Sequence, residues 1–352
     1  LDIFTMFFYQ FAFAATASTI TTGAMAERTN FVGDLIYSVI MAGFTYPVVV
    51  HWVWGGGWLY SLGFHDFAGS TVVHTVGGMT ALVGAWMLGA RKIRRGAHGE
   101  WLPAPPAHNL GLATLGTMIL WLGWYGFNPG STLGTGNTGL IGLVTLNTSL
   151  AAGGGMLSAM LLQYIRKGKW DLSSIMNGAL AGLVAISAGC AFVLPPSALL
   201  IGAIGGVVMM YAVDFVESLR IDDPVGAFAV HGAAGIWGTL AIGLFGAPGL
   251  TYKATATAGG GLFFGGGFSL LGIQFIGVGA VVLATGLFAL MMFGLLKMSN
   301  RLRVGLVVDD VHVYIDDFEH GAAILPDVRP TPLPQATPSA APPEHGVDRK
   351  ST

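Results

Sequence analysis

Charged residues are scarce in this sequence. Asp, Glu, Lys and Arg make up 10% of the 352 residues, whereas hydrophobic residues make up 53%. Because soluble globular domains carry about 25% charged residues, this composition predicts an integral membrane protein. The net charge of -2 also lacks the positive excess that nucleic-acid binding requires, so we expect no nucleic-acid partner.

Cysteine is nearly absent too, and this limits the possible chemistry. The single Cys190 lies in an apolar stretch, so the chain cannot form an internal disulfide. Clusters of thiolates or carboxylates, which a metal site needs, do not occur in the apolar segments. We therefore expect no bound metal and no other cofactor. The first residues carry no basic region, so nothing there resembles a cleavable signal peptide.

Long apolar runs, by contrast, are frequent. A membrane-spanning helix needs about 20 apolar residues. Windows of about that length occur at residues 3–25, 34–54, 70–90, 109–128, 138–163, 175–194, 197–216, 226–247 and 268–297. The 54 glycines indicate helices that pack closely through small residues. The sequence therefore predicts an all-α polytopic membrane protein with about nine helices.

The basic residues fall almost entirely on one side of these spans. When the gaps between spans are assigned alternately to two sides, fifteen of the sixteen Lys and Arg residues share one side, and only Lys253 lies on the other. By the positive-inside rule, this places the N-terminus outside and the C-terminus in the cytoplasm. We expect a multi-pass protein of the cell membrane.

The composition changes near the C-terminus. Seven prolines among small polar residues follow position 325, and such a segment cannot bury a core. We therefore expect three parts. Residues 1–303 form the membrane domain, residues 304–325 form a cytoplasmic segment of regulatory type, and residues 326–352 form a disordered tail.

An internal repeat lies at the mouth of two apolar runs. The pattern Asp-x-x-Gly-x-x-x-Val-His occurs at residues 66–74 and 223–231, and the copies lie five spans apart. An odd separation inverts the second copy, as in transporters whose sites lie near the midplane. The sequence predicts an inverted five-helix repeat plus a final helix. Only two spans precede the first copy within its half, against four for the second, so two further helices are expected before Leu1.

The polar residues of the repeat allow a structural and a functional interpretation. Asp66 and Asp223 are expected to cap helices, with Pro224 at the first helical position. A lone buried His is usually a satisfied core residue, but His74 and His231 occupy equivalent positions of an inverted repeat. We expect them to meet near its axis, where neutral imidazoles can hydrogen-bond to each other and line a path for a small polar solute.

Aromatic residues gather at the predicted outer ends of three spans. Trp54 precedes three glycines, Trp124 begins a segment that ends at Ser131, and Tyr9 and Phe13 share one helix face. An interfacial Trp is ordinarily a membrane-belt residue, but the adjacent glycines allow a solute to approach the ring. Aromatic walls with a hydroxyl and no carboxylate favour a monovalent cation held by cation–π contact.

Several of these segments resemble the ammonium transporter family, in its bacterial and plant branch. The resemblance runs from about Phe4 to Arg303, and its most specific segments are 13–28, 51–57, 66–74, 126–131 and 222–232. It implies the ammonium transporter fold, transport of ammonium or ammonia and of methylammonium, and no enzymatic activity. Trp54 and Ser131 together separate the chain from Rh-type relatives, which as a rule lack them.

At the outer end, the resemblance implies a site that recruits ammonium. Trp54 and Ser131 match the site, and Tyr9 stands where the family commonly has Phe. Asp66 matches an aspartate that supports the site. The implied mechanism recruits NH4+ and removes a proton before or within the lumen, because desolvating the bare cation costs roughly several kcal/mol.

Below this site, the resemblance implies a gated pore. Phe13 and Phe127 match a pair of stacked rings that closes the pore. His74 and His231 match the twin histidines of the apolar lumen, where they are expected to carry or relay the proton. Trp124 matches a residue beside the pore wall.

The resemblance also implies partners. Family members are homotrimers with one pore in each subunit. Many bacterial members bind a PII-type signalling protein at the cytoplasmic face, which here includes residues 91–95 and 164–171. An acidic run at 309–319 precedes His320 and Gly321, as in the family, but Ala322 replaces the usual Glu. PII binding is therefore left open.

Two other functions fit parts of the sequence. An ammonium sensor uses the same fold for signalling, but the C-terminal tail of roughly 50 residues contains no kinase or cyclase domain. An intramembrane enzyme with catalytic or metal-binding histidines lacks a nearby thiol, carboxylate pair or third ligand. Both features favour transport.

Overall fold

The computed structural model describes residues 2–251 and 260–304. Within these ranges the chain is helical, with three isolated backbone bridges and no longer β-ladder. Among the described residues, eight continuous helical stretches, some of them made of successive α-, π- and 3-10 segments, are at least 18 residues long and apolar enough to cross a membrane. The predicted all-α membrane fold is confirmed. The predicted segments after residue 304 lie outside the described residues.

The helices follow the predicted order. The first half contains α1 (Ile3–Met25), α2 (Phe31–Ile40), α3 (Tyr46–Val53), α4 (Trp58–Leu62) and α5 (Val76–Leu88). The second half contains α6 (Leu110–Phe127), α7 (Thr138–Lys167), α8 (Leu172–Ser187), α9 (Pro195–Ser218) and α10 (Ala234–Phe245), and α11 (Ser269–Met298) is the final helix. Three π-helical segments lead into α3, α5 and α10, at Met41–Thr45, Ser70–Thr75 and Phe228–Ala233 respectively.

Polar side chains explain where several helices begin. An Asp or Asn oxygen accepts backbone N–H bonds at the starts of α1, α2, α6, α7 and α8, where the capping residues are Asp2, Asn30, Asn109, Asn137 and Asp171. These bonds satisfy N–H groups that have no partner within the helix. One helix is shorter than predicted, since α8 has 16 residues and the chain continues in turns to residue 192.

The two copies of the repeat adopt the same local structure. Gly69 and Gly226 both have positive φ angles, 109° and 71°, which favour glycine. Each is followed closely by a π-helical segment that carries the histidine, His74 in one copy and His231 in the other. π-Helical turns are rare and occur frequently at functional sites. The two copies are therefore alike in backbone conformation as well as in sequence.

Both aspartates of the repeat cap the helices that carry the histidines, as predicted. Asp66 accepts backbone N–H bonds at 2.7, 2.8 and 2.9 Å from Gly69, Thr71 and Val72, and Asp223 accepts them at 2.9 Å from Ala227 and Phe228. The predicted place of Pro224 is wrong. It lies in a turn before the helix, because Asp223 reaches across that turn to cap the helix.

The two histidine-bearing helices cross where glycines leave no side chain between them. A Cβ added to Gly78 would lie 2.2 Å from the backbone nitrogen of Gly232, and one added to Gly235 would lie 2.4 Å from the carbonyl oxygen of Ser70. Gly78 and Gly235 each follow a repeat histidine by four residues, so the crossing has two-fold character. The final helix, α11, packs against both α5 and α10.

A buried ion pair and the polar contacts around it join three loops at one end of the bundle, called here the basic end. Asp222 accepts bonds from the backbone N–H, Nε and Nη2 of Arg91 at 3.0, 2.7 and 3.0 Å. The carbonyl of Asp222 accepts a bond of 2.6 Å from Arg28, and Glu27 accepts one of 2.7 Å from Arg91. Loops 26–30, 89–95 and 219–226 are thereby held together.

The charges of this ion-pair cluster respond to burial in opposite ways. Burial acts to raise the pKa of Asp222, but the hydrogen bonds from Arg91 outweigh it and leave the pKa below its ordinary value. Burial lowers the pKa of Arg28 to about 10, so this guanidinium remains charged at neutral pH. The cluster is therefore ionised under physiological conditions.

Candidate functional site

Four aromatic rings meet at the end of the bundle opposite the basic end. The ring centroid of Phe13 lies 4.5 Å from that of Tyr9, 5.9 Å from that of Trp54 and 4.3 Å from that of Phe127. The rings of Phe13 and Phe127 are stacked at 23°, whereas Trp54 meets Phe13 edge-on at 79°. These four residues are called the ring cluster below.

One hydroxyl pair lies beside the ring cluster. Ser131 belongs to a short 3-10 turn (Pro129–Thr132) that follows α6, and its hydroxyl donates to the carbonyl of Phe127 at 2.7 Å. The hydroxyl of Tyr9 lies 2.6 Å from Oγ of Ser131. Because a serine has one hydroxyl proton, Tyr9 is the donor of this second bond. A lone pair of Ser131 remains for a further donor.

Trp54 is held in place by the loop that precedes the first repeat helix. Its indole Nε1–H donates to the backbone carbonyl of Asp66 at 2.7 Å. Gly69 lies beside this ring, since a Cβ added to it would lie 3.4 Å from Trp54, an ordinary contact distance. The position of this ring therefore depends on the backbone of residues 66–69.

Asp66 contacts the ring cluster through its carbonyl and not through its carboxylate. The carboxylate is buried and is occupied by the helix cap described above. Burial raises the pKa of Asp66 to about 6, although the N–H groups of Val72, Gly69 and Thr71 favour the charged form. Asp66 therefore contacts Trp54 through its backbone carbonyl, while its carboxylate is engaged by the helix cap.

The two repeat histidines meet below the ring cluster. Their Nδ1 atoms lie 3.1 Å apart, and their rings are stacked at 20° with 5.2 Å between centroids. If both imidazoles are neutral, this hydrogen bond requires one ring to carry its proton on Nδ1 and the other on Nε2. The buried Nε2 of His74 makes no hydrogen bond within the described residues.

Two aromatic residues connect the histidines to the ring cluster. Trp124 stacks on His74 at 13° with 5.2 Å between centroids, and Phe127 lies 5.2 Å from His74. Because Phe127 also stacks on Phe13, ring contacts run without interruption from Tyr9 to His231. All nine residues predicted for the site belong to this array or to its supports.

Two cavities flank this array. The first has a volume of about 580 Å³ and is lined in part by Tyr9, Phe13, Thr16 and Phe127. The second has a volume of about 370 Å³ and is lined in part by His74, His231, Trp124 and Thr16. Thr16 borders both cavities, so they lie on the two sides of the same turn of α1.

Sequence reasoning missed two residues that hold the array in place. Ser187, the last residue of α8, accepts a bond of 3.0 Å from the indole of Trp124. Gln274 in α11 bonds to the backbone of His65, next to Asp66. No motif marks Ser187. The polar amide of Gln274 within an apolar span is a signal that a search for such residues can find.

Comparison with known proteins identifies the family. The sequence profile of the Ammonium Transporter Family matches residues 1–323. The ammonium transporter Amt2 of Archaeoglobus fulgidus is 41% identical over 92% of this chain and 70% of its own length. The protein belongs to the ammonium transporter family. A putative ammonium transporter of Synechocystis, sll1017, is 46% identical over 67% of this chain and 54% of its own length.

Solved structures of ammonium transporter proteins share the fold. A protein described as a sensor Amt protein superposes with a TM-score of 0.79 at 39% identity, over 86% of this chain and 74% of its own. The Mep2 protein of Candida albicans superposes with a TM-score of 0.76 at 32% identity, over 84% of this chain and 65% of its own. The predicted ammonium transporter fold is confirmed.

Membership of the family decides two further predictions. The protein is a multi-pass membrane protein of a transporter family, and it is not an enzyme. The chain spans between about half and three quarters of the length of these relatives.

Proposed function

We propose that the protein transports ammonium and methylammonium across the membrane, through the ring array from Tyr9 to His231. The observation that supports this most strongly is the continuity of the array, since Phe127 contacts both Phe13 and His74. An aromatic entrance therefore leads directly to a pair of buried imidazoles. Such an array suits a small solute that enters as a cation and crosses as a neutral molecule.

The ring cluster is the proposed recruitment site for NH4+. The edge-on arrangement of Trp54 and Phe13 offers ring faces to a cation, and a cation over an indole gains about 0.5–2 kcal/mol. The hydroxyl oxygen of Ser131 supplies a hydrogen-bond acceptor beside these rings. No carboxylate of the described residues bonds within the ring cluster, which favours a weakly held monovalent ion over a divalent metal.

The stacked rings of Phe13 and Phe127 act as the gate in this proposal. Their centroids lie 4.3 Å apart, which leaves no space for a solute between them. Passage therefore requires one ring to rotate. Because Phe127 also touches His74, its rotation opens the way to the histidines.

The histidine pair conducts the solute and relays the proton in this proposal. A bare cation is costly to desolvate among apolar rings, so ammonium loses its proton before or within this stretch. The bond between Nδ1 atoms links the two imidazoles, and Nε2 of His74 is available to a passing ammonia molecule or proton. Trp124 forms the wall against which His74 lies.

The orientation and the partners complete the proposal. The concentration of Arg and Lys at the basic end supports a cytoplasmic position for that end, with the N-terminus outside and the protein in the cell membrane. Residues 1–303 form the membrane domain. We further propose a homotrimer with one pore in each subunit, and a PII-type protein as a candidate partner for loops 91–95 and 164–171.

An ammonium sensor is the second candidate. It is supported by the 39% identity to the protein described as a sensor Amt protein. In a sensor, the ring cluster binds ammonium and the bound state alters a cytoplasmic segment. Binding without flux distinguishes this function from transport.

Uptake of labelled methylammonium tests the proposal in cells that lack their own ammonium transporters. We expect saturable uptake by the protein, a large loss in Trp54→Ala, and a loss in His74→Ala. Tyr60→Ala is the control, because Tyr60 is exposed and does not belong to the ring array. Ammonium binding without any uptake by a well-expressed protein supports the sensor instead.

A further inference from the structure

Gln274 is a buried amide in an apolar helix. It lies in α11, whose mean hydropathy of 2.3 is the highest of the eight described spans. Its side chain is fully buried. A polar group at such a place is costly unless it is hydrogen-bonded, and it is a candidate for function. The pathway from Tyr9 to His231 does not use it.

The side-chain amide of Gln274 both accepts a hydrogen bond from the backbone of His65 and donates one to it. Its Oε1 accepts the backbone N–H of His65 at 2.8 Å, and its Nε2 donates to the backbone carbonyl of His65 at 2.7 Å. Nε2 also donates to the carbonyl of Thr239 in α10 at 3.1 Å. The two-way pairing fixes the peptides on both sides of His65, because a side-chain amide has the same donor and acceptor geometry as the backbone.

The shape of α11 supports the same contact. Gly277 lies one turn after Gln274, and a Cβ added to it would lie 2.2 Å from the ring of Phe64. The ring of Phe64, which precedes His65, therefore occupies the place that a side chain at position 277 would take. Residues 64 and 65 are held by α11 through a ring contact and a pair of hydrogen bonds.

Asp66, the residue after His65, holds the ring of Trp54. The carbonyl of Asp66 accepts the indole N–H of Trp54 at 2.7 Å. Gln274 and Trp54 are thus hydrogen-bonded to two adjacent residues of one loop, His65 and Asp66 respectively. A shift of His65 moves the carbonyl of Asp66, and the indole follows or loses its bond.

We propose that Gln274 is a positioning residue of the ring cluster, which sets the place of Trp54 through the backbone of His65 and Asp66. The inference rests on the proposed recruitment of ammonium by Trp54. According to this inference, α11 influences the affinity of the ring cluster for ammonium, although it contributes no ring to the array. Loss of the amide is expected to weaken recruitment and to leave the conducting steps unchanged.

The test compares two variants of α11. Gln274→Met removes the amide at similar size, and Thr285→Val removes another fully buried polar group of the same helix whose hydroxyl makes no hydrogen bond within the described residues. Methylammonium uptake is measured over a range of concentrations. We expect Gln274→Met to raise the half-saturating concentration about tenfold, with a maximal rate within about twofold of the wild type. Thr285→Val should change neither quantity.

A second readout does not depend on transport. 5-Fluorotryptophan is incorporated into the protein, and the ¹⁹F resonance of Trp54 is assigned with Trp54→Phe. We expect this resonance to shift or broaden in Gln274→Met and to stay in place in Thr285→Val. If Gln274→Met does not accumulate, Gln274→Glu replaces it, because the carboxyl group cannot donate to both His65 and Thr239.

The outcomes separate the inference from the proposed function. A wild type without uptake contradicts transport, while the ¹⁹F resonance still tests whether Gln274 positions Trp54. If the wild type transports methylammonium, an unchanged half-saturating concentration and an unmoved Trp54 resonance in Gln274→Met overturn the positioning role. A fall in the maximal rate alone overturns it too, because a purely structural defect lowers the number of working pores without changing their affinity.

Discussion

The Nδ1 atoms of His74 and His231 lie 3.1 Å apart, at the place where the two halves of the inverted repeat cross. The contact depends on the backbone more than on the rings, since Gly78 lies directly against Gly232 and brings the helices together. Each histidine lies in a π-helical segment, and an aspartate accepts backbone N–H bonds at the start of that helix. The repeat therefore places one imidazole from each half at a common centre.

The helix crossing yields the first prediction. We expect Gly78→Ala to destabilise the protein by about 1–3 kcal/mol, because the added methyl group meets the backbone of Gly232 and pushes the helices apart. Gly116→Ala in α6 is the matched control, since nothing lies within 4 Å of a Cβ at that position. Thermal unfolding of the purified proteins measures the difference. Equal stability of the two variants contradicts a tight crossing.

The second prediction concerns the cation–π contact at Trp54. We expect Trp54→Leu to raise the half-saturating methylammonium concentration by roughly 2- to 30-fold, which corresponds to the loss of about 0.5–2 kcal/mol of cation–π attraction. Trp58→Leu removes a half-exposed indole that packs on Trp52 and not on the ring cluster, so it should leave this value unchanged. Similar curves for both variants argue against recruitment by Trp54.

The third prediction concerns the support of Trp124. Its indole N–H is buried and donates to Ser187. We expect Ser187→Ala to cost about 1–3 kcal/mol of stability, because the indole N–H loses its acceptor. Ser187→Thr keeps the hydroxyl and should retain most of the stability and uptake. If alanine is tolerated as well as threonine, the bond to Ser187 does not hold the pore wall.

The fourth prediction concerns pH and the ion pairs at the basic end. The pKa of Asp222 lies below its ordinary value of 3.8, so its ionised form stabilises the folded protein above about pH 4 and this contribution is lost as the pH falls through the lowered pKa. We expect Asp222→Asn to cost about 3–5 kcal/mol at pH 7, because Arg91 is left buried without its carboxylate. The difference from the wild type should shrink below pH 4.

Asp214→Asn is the control for this experiment. Asp214 pairs with Arg166 at 2.7 Å, but its side chain is 61% exposed. An exposed pair contributes about 0–1 kcal/mol, so its loss should be small at every pH. Unfolding midpoints of both variants from pH 3 to pH 7 provide the comparison. A constant difference between Asp222→Asn and the wild type across this range contradicts the assigned charge state.

Much of the fold follows from the sequence because membranes restrict the choices. Apolar runs of spanning length must form helices, and the repeated Asp-Gly-His pattern indicates which helices are equivalent. The meeting of His74 and His231 follows from that equivalence. The π-helical segments do not follow, because the hydrophobic pattern hardly differs between an α-turn and a π-turn.

The supports of the site were harder to anticipate. The sequence predicts Asp66 at the site itself, but whether its carboxylate or its carbonyl reaches Trp54 depends on the path of a loop. Gln274 lies more than 200 residues from His65 in the sequence, so only the packing of α11 brings them together. The residue type of Pro224 predicts a helix start, but Asp223 caps the helix four residues further on, so Pro224 lies in the preceding turn.

Flux through the purified protein tests the central claim most directly. The protein is reconstituted in lipid vesicles, and labelled methylammonium is followed into the vesicles for the wild type and for Trp54→Leu, His74→Ala and Trp58→Leu. The account predicts saturable flux for the wild type and Trp58→Leu. It predicts a higher half-saturating concentration for Trp54→Leu and a large loss of flux for His74→Ala. Flux that is absent from the wild type, or equal in all four proteins, contradicts passage through the array from Tyr9 to His231.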